Sequence, residues 1–231
     1  MKDLFYRYRY LFLTMGIISI VVLSLFYNAL KPEKQLPIYT PAMVNPELVD
    51  SLVQHENNKM KHTIADFSFI NQNGKTITQD DYKDVIYVAD FFFTTCQTIC
   101  PIMTGNMAWL QDKVKDMPDV KLLSFSVMPD IDTQEALRKY ADEKGVDDRK
   151  WNLLTGDKKK IYYLARQSFL AVKTDNTGEL YDMVHTENFI LVDKKGRIRG
   201  FYDGTNMDKP SEESKNMQQL LEDIDFLRKK S

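Results

Sequence analysis

The sequence predicts an α/β domain with helices on both faces of its sheet, preceded by a single transmembrane helix. Three observations support this. Val85-Ile86-Tyr87-Val88-Ala89-Asp90-Phe91-Phe92-Phe93 is an apolar, β-branched and aromatic run with Asp90 as its one charge, the pattern of a central strand buried on both faces. Further apolar runs alternate with segments of helical spacing, which is how a sheet with covered faces is built. Tyr10 to Leu30 carries no charge. As a helix it extends ~31 Å at ~1.5 Å per residue, enough to cross a hydrocarbon core of about 30 Å.

The N-terminal third follows from charge and proline. Lys2, Arg7 and Arg9 precede the apolar stretch with only Asp3 opposing them, so residues 1–9 are expected in the cytoplasm and 10–30 as the anchor. The domain then lies on the extracytoplasmic, periplasmic side of the cell (inner) membrane. A cleaved signal peptide is the alternative, but its apolar core is ordinarily shorter and no A-x-A-like site follows. Residues 31–61 contain Pro32, Pro37, Pro41, Pro46 and the polar run Gln54-His55-Glu56-Asn57-Asn58-Lys59. They read as an extended spacer, parts of which can pack on the domain. His55 and His62 read as solvated linker histidines rather than ligands.

The globular part, 62–231, opens with Phe67-Ser68-Phe69-Ile70 and Lys75-Thr76-Ile77-Thr78 around Asn73-Gly74, a strong hairpin signal. Gln79 to Lys83 adds a helical turn before the central strand. After it, Ile102 to Met117 has helical spacing, with Met103, Met107 and Leu110 on its core face. Val120 to Met128 is a second buried strand, stopped at Pro129. Thr133 caps a helix that Gly145 ends. Trp151 to Thr155 is a third strand and Asp157 to Leu170 a further helix. Asp175 to Asp182 reads as a loop. His185 to Asp193 and Arg197 to Tyr202 form a second hairpin about Lys194-Lys195-Gly196, and Ser211 to Lys230 is an amphipathic closing helix. A hairpin, a central strand, an α/β crossover and a closing hairpin with a helix describe a thioredoxin-like fold with an N-terminal β-hairpin extension.

Of the 231 residues, 31 Lys and Arg balance 33 Asp and Glu for a net charge of −2, so no basic field draws the chain to nucleic acid. The domain is long enough to build a core without disulfide staples. That leaves its two cysteines free for chemistry. Both lie in Thr94-Thr95-Cys96-Gln97-Thr98-Ile99-Cys100-Pro101, where the central strand breaks and Pro101 suits the first turn of a helix. Unpaired N–H groups and the helix dipole favour an anion there, so a thiol at this junction ionises more readily than a free cysteine. Three residues apart, Cys96 and Cys100 can close a disulfide or grip one soft ion. A static structural disulfide is the plain alternative. Oxidoreductases of this fold usually carry C-x-x-C, and the extra residue here widens the pair.

Four segments together resemble the Sco/SenC family. They are Phe93 to Pro101, then Ser126-Val127-Met128-Pro129 with Asp132-Thr133, then Leu154-Thr155-Gly156-Asp157, and His185-Thr186 ahead of Leu191 to Gly196. The resemblance runs from about Ile64 to the C-terminus. It implies a membrane-anchored, thioredoxin-like metallochaperone that handles copper, as Cu(I) or Cu(II), during assembly of the dinuclear copper site of cytochrome c oxidase. It also implies copper ligands at Cys96, Cys100 and His185. The implied partners are the copper-site subunit of the oxidase and a copper donor or thiol reductant. Two thiolates suit Cu(I), and an imidazole extends the site to Cu(II). Alternatively His185 is a strand-end histidine satisfied by a backbone carbonyl.

Two departures from the family pattern stand out. Gln97 replaces the usual proline after the first cysteine, and Met128 replaces an acidic residue before Pro129. Met128 and Met183 are candidate thioether contacts to the metal, with core or rim packing as the alternative; Met103 and Met107 read as core. Two other functions compete. One is a thiol–disulfide oxidoreductase, with Cys96 and Cys100 as its catalytic redox pair, that keeps an oxidase's copper-ligand cysteines reduced. The other is a thiol peroxidase, against which stands the lack of an arginine beside either cysteine in sequence.

Overall fold

The computed structural model describes residues 7–30, 34–44, 62–171, 187–207 and 215–230. It divides into two compact units, Met1–Gln35 and Leu36–Ser231. The first contains helix α1 (Arg9–Leu30), with a span from Arg9 to Tyr27 long and apolar enough to cross a membrane.

In the second unit, β1 (Ser68–Asn71) and β2 (Thr76–Thr78) form the expected hairpin, with Gly74 at φ +74° in its turn. A 3-10 turn, Gln79–Tyr82, leads to β3 (Ile86–Phe92), buried at every position. Then come α2 (Cys100–Val114), β4 (Val120–Ser126), α3 (Gln134–Lys144), β5 (Trp151–Thr155), α4 (Lys158–Tyr163), β6 (Asn188–Val192), β7 (Ile198–Asp203) and α5 (Met217–Lys230). One sheet runs in the order β2-β1-β5-β4-β3-β6-β7. Strands β3, β4 and β5 are parallel to their neighbours among themselves, while β1 meets β5, and β6 meets β3, antiparallel.

The period of two along β3 sorts the core. Ile86, Val88 and Phe92 face the layer holding Met103, Met107, Leu110, Leu137 and Ile224 from α2, α3 and α5. Tyr87, Ala89 and Phe91 face the opposite layer with Phe67, Phe69, Phe125, Ile161 and Phe169. Both faces are covered, which is why β3 reads as an unbroken apolar run rather than an alternating one.

Several boundaries differ from the sequence expectation. Helix α2 starts at Cys100 with Pro101 in its first turn, as the sequence indicates. It stops at Val114, three residues ahead of Met117, which precedes Pro118 and is disfavoured in helical backbone. The helix expected over 157–170 is α-helical only to Tyr163 and widens into a π turn over Leu164–Ser168. There the Ser168 hydroxyl accepts from Ala65 N–H at 2.7 Å and the Ser168 carbonyl meets His62 Nε2 at 2.8 Å. His62 is therefore pinned to the domain and half-buried rather than free in a linker; His55 lies outside the described residues, as does the loop expected over 175–182. Helix α5 begins at Met217 behind a reciprocal cap, in which Asn216 Oδ1 accepts from Gln219 N–H at 3.0 Å and Gln219 Oε1 from Asn216 N–H at 3.2 Å.

Part of the expected spacer belongs to the domain. Tyr39 N–H donates to Ile198 O at 2.9 Å, and Arg199 donates to the carbonyls of Pro37 and Leu36 at 3.0 and 2.7 Å. The Tyr39 ring meets Phe201 edge-on at 5.1 Å. Because β7 is the last strand of the sheet, this strap covers an edge that would otherwise offer unpaired backbone groups.

Candidate metal centre

The parallel strands β3 and β4 end side by side, and the loop Phe93–Ile99 leaves β3 to enter α2. Both cysteines sit here as free, buried thiols, Cys96 in the loop and Cys100 at the first residue of α2. Both pack into the α2, α3 and α5 layer. The structure thus brings together the two thiols that the sequence singled out. Cys96 N–H donates to Phe93 O at 3.3 Å, and the Cys96 sulfur lies 3.6 Å from the Thr98 hydroxyl.

The two thiols are driven in opposite directions. Burial alone would raise Cys96, but hydrogen bonds to its sulfur from the Cys100 thiol and from the backbone N–H groups of Thr98 and Cys100 bring it down to about 7. Cys100 is pushed up to about 12, first by burial and then because it donates its proton to Cys96. The Cys100 thiol, followed by the backbone N–H groups of Thr98 and Cys100, thus favours the thiolate at Cys96, while Cys100 keeps its proton more tightly.

Buried polar groups whose roles the sequence did not reveal lie near the thiol loop. Asp132 is fully buried in the turn after β4. Its carboxyl accepts the Thr94 hydroxyl at 2.5 Å, the Thr94 N–H at 3.2 Å and the Ser126 hydroxyl at 2.5 Å. The Thr104 hydroxyl, one turn past Cys100, shares a 2.7 Å hydrogen bond with Tyr140 of α3. Asp90 lies buried on β3, its carboxyl bonded by the Ser124 hydroxyl. Burial first, tempered by that bond, raises its pKa to about 7. The isolated charge in an apolar strand was the sequence signal for Asp90. Asp132 entered only as part of the segment that carries the family resemblance; its bonding was not legible locally, because its partners stand 38 and 6 residues away.

The other candidates divide clearly. His185 and Met183 lie outside the described residues. Among the described residues, no three His, Cys, Asp or Glu side chains group closely enough to hold a metal ion, so the described part of the site supplies two sulfur donors. Met128 is half-buried and packs against the aromatic layer, while Met103 and Met107 are core.

Comparisons with known proteins converge on one family. The model of the SCO1/SenC family matches residues 55–222. The SCO1 protein homolog of Bacillus subtilis is 35% identical over 153 residues, covering 65% of this chain and 79% of its own length. BsSco, a member of the Sco family of cytochrome c oxidase assembly proteins in which a disulfide switch was identified, aligns with TM-score 0.59 and 33% identity over 72% of this chain and 93% of its own. Arabidopsis thaliana ScoI, solved with copper bound, aligns with TM-score 0.55 and 25% identity over 72% of this chain and 98% of its own. The family match extends over most of the sequence and takes in the thiol loop, both central strands and the closing hairpin: the chain belongs to the SCO1/SenC family.

Proposed function

We propose that this protein is a membrane-anchored copper carrier for assembly of the dinuclear copper site of cytochrome c oxidase, holding the ion with Cys96, Cys100 and His185. The observation that carries this reading is the pair of free thiols buried at the start of α2, one of them already near ionisation at neutral pH. Two thiolates are soft donors suited to Cu(I), and an added imidazole also accommodates Cu(II). Binding releases the remaining thiol proton. Three protein ligands leave the ion open on one side, so that it can pass to a client by ligand exchange. The bound copper of Arabidopsis ScoI supports copper as the ion. Helix α1, with Arg7 and Arg9 at its start, supports an anchor whose N-terminus stays in the cytoplasm.

The test is metal analysis of the reduced full chain in detergent. One copper per chain is expected, with tight binding abolished by Cys96→Ser, Cys100→Ser or His185→Ala. Full affinity in the His185→Ala protein would overturn the three-ligand site.

The opposed pKa directions of the two thiols favour a second reading, a thiol–disulfide oxidoreductase acting on the client's copper-ligand cysteines. The Cys96 thiolate would attack the client disulfide and form a mixed disulfide. Cys100, once deprotonated, would displace the client sulfur, leaving a Cys96–Cys100 disulfide and a reduced client. Reductase activity that survives His185→Ala while copper binding is lost separates the two readings.

A further inference from the structure

We propose that Asp132 is a positioning residue for the Cys96–Cys100 pair, acting through Thr94. The proposal rests on the reading of these cysteines as the functional pair.

The thiol loop leaves β3 at Phe93. The hydrogen bonds that shape it near Cys96 mostly run within it, from Cys96 N–H to Phe93 O, between Cys96 and Thr98, and from Gln97 Nε2 to Thr95 O. Asp132 reaches it from another element. It lies in the turn between β4 and α3, where Met128 O accepts the N–H groups of both Ile131 and Asp132 at 2.9 Å. One carboxyl oxygen takes the Thr94 hydroxyl and the other takes Thr94 N–H and the Ser126 hydroxyl. Ser126 in turn accepts Met128 N–H at 3.1 Å. A carboxyl with no exposure and this many donors is rigidly held, so it serves as a rivet between the ends of two parallel strands.

Thr94 is two residues from Cys96 and adjoins Phe93, whose carbonyl accepts the Cys96 N–H at 3.3 Å, while the Cys96 sulfur lies 3.6 Å from the Thr98 hydroxyl at the far side of the same loop. Fixing the near end at Thr94 fixes where the Cys96 sulfur meets that hydroxyl. This contact favours the reduced form, since a disulfide sulfur is a poorer partner for it than a thiol or thiolate. Releasing the rivet therefore shifts the dithiol–disulfide equilibrium toward the disulfide.

The test is redox equilibration of the full chain in detergent with reduced and oxidised glutathione: two protein thiols and one glutathione disulfide give one protein disulfide and two glutathione thiols. Asp132→Asn and Thr94→Val are each expected to favour the protein disulfide by about tenfold, a fall of about 30 mV in reduction potential for this two-electron couple. Thr94→Ser keeps the hydroxyl and is expected to restore the wild-type value. Thr94→Val preserves side-chain volume and guards against a failure of Asp132→Asn to fold. Potentials within twofold of wild type in equilibrium constant for both variants would overturn the proposal, whatever their melting temperatures. The readout needs no copper: a wild-type chain that fails to bind copper sinks the carrier reading and leaves this result standing.

Discussion

Asp90 of β3 and Ser124 of β4 stand side by side in the parallel register of the central strands, and the Ser124 hydroxyl donates to the Asp90 carboxyl. Trp151 Nε1 of β5 donates to the same Ser124 oxygen at 2.8 Å. A polar chain thus crosses three strands inside an apolar layer, and the charge of Asp90 reaches Cys100.

This pair predicts a pH dependence of stability. The Asp90 carboxyl is raised to about 7, chiefly by burial. Such a group keeps its proton in the folded state, so its contribution is complete below the ordinary carboxyl range near pH 4 and is lost as pH rises toward about 7. The steepest loss is about 1.4 kcal/mol per pH unit. Asp90→Asn retains an acceptor for Ser124 and cannot ionise. Its denaturation midpoint is expected to exceed wild type at pH 7.5, with the gap closing toward pH 4; a constant gap would contradict this account.

The thiol pair predicts a pH profile of reactivity. Alkylation of the reduced, copper-free chain is expected to modify Cys96 first, with a rate inflecting near pH 7. Cys100→Ala removes the thiol donor to Cys96, so the inflection is expected to move upward. Peptide mapping after brief iodoacetamide treatment reads both outcomes, and preferential labelling of Cys100 would refute them.

The strap predicts a dependence on Arg199. This side chain holds the carbonyls of Leu36 and Pro37 and lies 2.9 Å from Asp193. Arg199→Ala is expected to cost about 1–3 kcal/mol through stranded acceptors and to speed hydrogen exchange at Tyr39 N–H. Unchanged exchange there would show that the strap is held by other contacts.

Asp193 itself predicts the acid limb of stability. Burial would raise its pKa, but hydrogen bonds from Arg197 and then Arg199 outweigh it and depress the carboxyl. Its contribution is present above the ordinary carboxyl range and is lost as pH falls through the depressed folded value. Asp193→Asn is therefore expected to lose stability at pH 7 and to flatten the acid limb of a denaturation series.

In the aromatic layer, Phe125 is fully buried, with ring centroids of Phe67, Phe69, Phe91 and Phe169 between 5.3 and 5.8 Å away. Phe125→Ala is expected to destabilise the domain by about 3–5 kcal/mol, with Phe125→Leu costing less. Urea denaturation measures both.

Much of this molecule was legible in its sequence wherever the signal is local. The apolar run of β3, the Asn73-Gly74 turn, the Thr133 and Gly145 caps and the placing of both cysteines where a strand meets a helix are each set by a few adjacent residues. The structure reproduces them. Tertiary structure alone decided that β1 pairs with β5, that Leu36 and Pro37 bind a strand some 160 residues later, and that Asp132 grips Thr94 across 38 positions. No periodicity encodes such contacts, because they form only when separate elements have packed in register. The opposed tendencies of the two thiols belong to the same class: the C-x-x-x-C spacing brought them together, and the burial and donors of the folded loop made them unequal.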